Sequence, residues 1–223
     1  VAHVIGEILP LAVAAAISPF PIIGVLLTLV GPGARLNGPL FLLGWLSGLI
    51  VIGAIGLTLA TAVGTASDGA PSSFGRSTQI VLGGLLVVFA VRQWRKRPKS
   101  GEPVPMPRWM SAVEGFSSIK AAGLGFALSA ANPKNLILTL AATSTIASRD
   151  LGLTDQIVVY AIYGVIATIG VALPVVTYFA LGDRSKPVLN NLRSWLALHN
   201  AAIMAVIFLV IGVKVLGQGI AGS

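Results

Sequence analysis

Long apolar runs punctuated by short polar links dominate the pattern of this chain. Six apolar windows stand out, at residues 8–30, 38–64, 79–91, 121–146, 157–181 and 198–216. None shows the strict alternation of a lipid-facing barrel strand. A helix needs ~20 mostly apolar residues to cross the hydrocarbon core. The pattern therefore predicts an all-α membrane protein with six transmembrane helices. The links are informative. Residues 31–37 (GPGARLN) form a tight turn and residues 65–77 a small polar loop rich in Gly, Ser and Pro. Residues 93–118 open with WRKRPK, 148–155 are short and mixed in charge, and 182–197 are basic.

The two halves repeat. Residues 17–28 read ISPFPIIGVLLT and 131–139 read ANPKNLILT, so Pro19 aligns with Pro133. The third helices agree more weakly, GGLLVVFAVR at 83–92 beside AVIFLVIGVK at 205–214. Two tandem three-helix units must enter the membrane from opposite sides, which makes an inverted repeat, a common plan for secondary transporters. The expected organisation is a first repeat over 1–92, a basic linker over 93–120 and a second repeat over 121–223. Within the linker, Trp109, Val113 and Phe116 fall at helical spacing, which predicts a short amphipathic surface helix over 106–121.

Prolines 19, 21 and 133 each remove a backbone donor. Helices 1 and 4 are therefore expected to break near mid-membrane, freeing carbonyls near Ala15, Ile17 and Ser129. Unpaired backbone groups are tolerated at that depth only where protein or water compensates. The flanking Ser18, Asn132, Lys134 and Asn135 supply polar atoms there. Lys134 is the one ionisable residue expected at mid-depth, where a charge costs at least ~2.5–3.5 kcal/mol on insertion scales. At that depth it is expected to face a polar cavity, bind an anionic group or sit deprotonated; the other reading is a structural donor to the freed carbonyls of helix 1. The candidate translocation site is thus Ser18, Pro19, Phe20 and Pro21 from one half, with Asn132, Pro133, Lys134 and Asn135 from the other. Gly44, Gly48 and Gly56 in helix 2 are read as packing positions.

Composition narrows the function. Over half the residues are hydrophobic, 10% are charged, and mean hydropathy is +0.90, which leaves no room for a sizeable soluble domain. Without cysteine there is no disulfide, thiol chemistry or thiolate metal site. His3 and His199 stand near helix ends, so neither metal nor cofactor is expected. The net charge of +8 is read as marking membrane orientation rather than nucleic-acid binding. Arg35, Arg92, Arg95, Lys96, Arg97, Lys99, Arg108, Lys120, Arg184, Lys186 and Arg193 fall on one side, against Arg76, Arg149 and Lys214 on the other. The first side is then cytoplasmic and both termini lie outside. No carboxylate lies inside an apolar window. P-loop, HExxH and GxSxG patterns are missing, so no enzyme activity is expected.

SPFPIIGVLLTL, NGPLFLLGWLSGL, VRQWRKRPKSGEPVPMPRWM and LSAANPKNLILTLAA together resemble the glycopeptidolipid-addressing protein (GAP) family, its sulfolipid-addressing siblings and the wider lysine-exporter (LysE) superfamily. The resemblance covers nearly the whole chain. It implies six helices, movement of envelope glycolipids across the inner membrane of mycobacteria-like actinobacteria, and an NPKN lysine at or near the site. The expected function is export of an envelope lipid or glycolipid. The alternatives are a small-solute exporter for amino acids or cations, and a non-transporting partner of a larger lipid-export machine. A lipid carrier calls for a lateral apolar opening, and a solute carrier for a small polar cavity. Membrane lipids are the expected surroundings, with other envelope-export proteins as possible partners.

Overall fold

A computed structural model describes residues 1–31, 33–65, 73–97, 117–149 and 151–221. The surface helix expected over 106–121 lies, but for its last residues, outside them. Among the described residues all regular structure is helical. The elements are α1 (Ala2–Ala16), α2 (Pro19–Val30), α3 (Ala34–Thr65), α4 (Ser73–Arg95), α5 (Ser118–Ala130), α6 (Pro133–Ala147), α7 (Leu153–Leu181) and α8 (Lys186–Ala221), with a 3-10 turn at Gly182–Ser185. By length and composition, residues 34–60 and 153–217 can cross a membrane, and α1 with α2, bent by 46°, makes a third candidate span.

Proline places the breaks. The residue before a proline is driven toward extended backbone, and Ser18 (φ −78°, ψ 111°) and Asn132 (φ −70°, ψ 116°) adopt nearly the same conformation. The turn after α7 uses Gly182 at φ +57°, where a side chain would be strained.

The chain divides into two compact units, Val1–Gly64 with Met106–Leu196, and Thr65–Pro105 with Ala197–Ser223. In the first unit the broken helices pack crosswise, α1 against α6 and α2 against α5, with α7 alongside both α1 and α2. First segment therefore meets second segment, as in an antiparallel pair. Helices α3 and α7 are antiparallel too: Gly38 lies by Val175, Trp45 Nε1 donates to Thr168 Oγ1 at 3.2 Å, and the Tyr160 hydroxyl donates to the Leu49 carbonyl. Small residues let α3 approach its neighbours. A Cβ on Gly44 would strike the Ala122 carbonyl, one on Gly48 would lie 2.9 Å from Ser129 Oγ, and one on Gly56 would strike Thr143. These glycines act as the packing positions expected of them.

In the second unit, α4 lies antiparallel to the C-terminal part of α8. A Cβ on Gly83 would sit 2.7 Å from Leu216 Cγ, and one on Gly212 would sit 2.9 Å from Val87 Cγ2. Phe89 and Phe208 meet at 6.3 Å between ring centroids.

Candidate functional site

At the first break the hydrogen-bond ladder is redirected rather than cut. Ile17 N–H still reaches Val13 O, but Ser18 N–H turns to Ala15 O at 3.2 Å. Ala15, which Pro19 cannot serve, is thereby satisfied. The acceptor left over is Ala14 O, four residues before Ser18, and Lys134 Nζ fills it at 2.8 Å. The orphan thus stands one residue earlier than proline counting predicts, because one i→i−3 bond shifts the deficit along the helix. Ala16 O points at α7, where a Cβ on Gly170 would collide with it. Gly170 admits that carbonyl because it has no side chain.

The second break solves the same problem differently. Ala131 N–H reaches Ala127 O at 2.8 Å. Leu128 O, again four residues before the extended residue, accepts from Asn135 Nδ2 at 3.0 Å. Equivalent carbonyls in the two halves are thus served by Lys134 and Asn135, neighbours in the NPKN sequence. Asn132 caps α6 through Lys134 N–H at 3.1 Å. Ser18 forms no such cap on α2, since Pro21 removes the third-position donor that a capping serine favours.

The bond from Lys134 to Ala14 joins the two halves at their breaks. Ser18, Pro19, Pro21, Lys134 and Asn135 are buried, Phe20 and Asn132 are half-buried, and Pro133 is exposed. Ser18 Oγ, Ser129 Oγ and Asn135 Oδ1 are buried without a hydrogen-bond partner among the described residues. Buried polar atoms are rarely left so; these three lie along the two broken helices, and Arg193 Nε and Asn200 Oδ1 on α8 are likewise without a partner among the described residues.

Asn135 also begins a buried polar stripe. Thr139 and Thr143 follow at helical spacing and, like Asn135, are 1% exposed. Thr139 Oγ1 and the Tyr163 hydroxyl lie 3.1 Å apart, and Tyr163 stacks on Tyr160 with ring centroids at 5.6 Å. Tyr160 in turn lines a cleft of 380 Å³ along α3 and α7, walled by Leu46, Leu49, Ile50, Ala161 and Val165 among others. Ile50 and Val165, on its rim, are 64% and 67% exposed. Sequence reading missed Thr139, Tyr163 and Gly170. Thr139 had a signal in its four-residue spacing from Asn135, whereas the other two belong to a helix that pattern alone does not place beside the breaks.

Among the described residues these features make an all-helical structure with helices long and apolar enough to cross a membrane and two proline-marked interruptions joined by Lys134. The chain belongs to the family described as Sap, sulfolipid-1-addressing protein, whose model matches residues 8–221. Comparison with curated proteins and with solved structures gave no match.

Proposed function

We propose that this chain is an integral inner-membrane exporter of an envelope lipid or glycolipid, crossing the bilayer six times as two inverted three-helix repeats. The carrying observation is the apolar cleft on α3 and α7 beside the polar stripe of α6. An amphiphile needs an apolar flank for its chains next to a polar place for its headgroup. Tyr160 and Tyr163 form the wall between those two environments. An apolar lateral cleft favours this reading over export of a small polar solute. Family membership supports it as well, because the family is described by the addressing of a sulfolipid.

The inverted repeat rests on pairing. First helices, second helices and third helices of the two halves each meet their own counterparts in antiparallel contact. That is the relation a two-fold axis in the membrane plane imposes. Kinship with lysine exporters, and a cytoplasmic face marked by the basic loops, belong to the same proposal. Ser18–Pro21 and Asn132–Asn135 are its translocation site.

Mass spectrometry of lipids copurifying with the protein tests the reading. A specific amphiphile should be enriched over an unrelated membrane protein from the same cells, and Ala161→Trp, which fills the cleft, should deplete it. Copurified lipid indistinguishable from the control would overturn the lipid assignment.

A further inference from the structure

Helices α1 and α6 are joined at two depths. At the break the link is Lys134 Nζ to Ala14 O. Seven residues earlier on α1, a rise of about 10 Å, Glu7 meets Arg149 just beyond the end of α6. The contact is bidentate: Arg149 Nε to Oε2 at 3.2 Å and Nη2 to Oε1 at 2.5 Å. His3 Nε2 adds a third contact to Oε1 at 3.0 Å. The fork of a guanidinium on a carboxylate fixes orientation as well as distance.

The two links differ in kind. Lys134 is 4% exposed, and its partner is a carbonyl with no other donor among the described residues. The side chains of Glu7 and Arg149 are 24% and 46% exposed, so water can replace each partner when the pair opens. A pair of this sort adds little to overall stability. It can nevertheless hold two helix ends together, and α1 ends at its other end in a 46° break, where the ladder is redirected at Ser18. We propose that Glu7 and Arg149 form a gate, with His3 as an accessory contact, that closes the α1–α6 side of the crossing and opens by swinging α1 about the Ser18 break. The gate rests on the reading of the crossing as a translocation site, but its test needs no substrate.

The natural absence of cysteine makes that test clean. Ser18→Cys places a near-isosteric thiol at the buried crossing. The protein is put in lipid nanodiscs, where both membrane faces are accessible, and treated with a charged methanethiosulfonate; modification is timed by mass. Adding Glu7→Gln should speed modification of the thiol about two- to fivefold, the scale of one exposed ion pair. Arg149→Gln should do the same, and both together should do no more than either alone. The exchange Glu7→Arg with Arg149→Glu should restore the slow rate. Unchanged rates in both single variants would overturn the gate, as would an exchange variant as fast as Glu7→Gln. Failure of the lipid assignment would leave these rates untouched, which separates the two results.

Discussion

Lys134 of one half donates to the carbonyl of Ala14 in the other, and Ala14 stands four residues before Ser18, as Leu128 stands four before Asn132. One broken helix is therefore completed by the other. The lysine holds the crossing together and is the basic group of the proposed translocation site.

Removing Lys134 should act on both counts. Lys134→Met keeps much of the side-chain volume but leaves Ala14 O unpaired, at a cost of about 1–3 kcal/mol for a buried acceptor. A lowered melting temperature in detergent checks the structural part. Lys134→Ala should also end lipid export, read as loss of the copurifying amphiphile from the outer envelope fraction. Lys134→Arg should fail to restore it, because the planar guanidinium does not fit a site shaped for one amine. Export by Lys134→Ala at the parental rate would remove the lysine from the mechanism.

Glycines on α7 should split sharply. Gly170→Ala drives a methyl into the Ala16 carbonyl, whereas Gly164→Ala meets nothing within 4 Å. The first should destabilise by about 1–3 kcal/mol, as overpacking does. The second should be neutral or slightly stabilising, since alanine favours helix by up to about 1 kcal/mol over glycine. Parallel thermal melts decide it, and equal effects would contradict the packing.

The Thr139–Tyr163 pair predicts energetic coupling. Tyr163→Phe and Thr139→Val each remove one partner of the 3.1 Å contact, while the double change removes both. A double-mutant cycle should return about 0.5–1.5 kcal/mol of coupling, the net worth of one hydrogen bond. A value within error of zero would show that the two hydroxyls do not depend on each other.

Orientation is tested with the exposed ends of unit one. Cysteines at His3 and Arg184 should label from opposite sides of intact cells, His3→Cys with an impermeant reagent and Arg184→Cys only after permeabilisation. The opposite result would reverse the topology drawn from the basic loops.

Much of this was legible along the chain. Apolar runs give helices because hydrocarbon leaves the backbone no partner but itself. The Ser18–Pro19 and Asn132–Pro133 steps mark breaks because proline lacks a donor and crowds the residue before it, whereas Pro10, Pro39 and Pro174 are carried inside continuous helices. Those rules are local, so Ser18 and Asn132 adopt the conformation expected of them. The choice of Lys134 as the unusual residue also follows from its charge within an apolar run.

Partner choice was not legible. Nothing local says that Ser18 N–H turns to Ala15 and leaves Ala14 for a lysine 120 residues away. Nor does pattern say that Asn135 serves its own half while Lys134 serves the other. Tyr163 and Gly170 read as ordinary members of an apolar helix until α7 is laid against α1 and α6. The sequence by itself determined the helices, their interruptions and the family. Tertiary structure alone decided which groups meet across the interruptions, because a freed carbonyl is satisfied by whichever donor packing brings within 3 Å, and packing is a property of faces from distant parts of the chain.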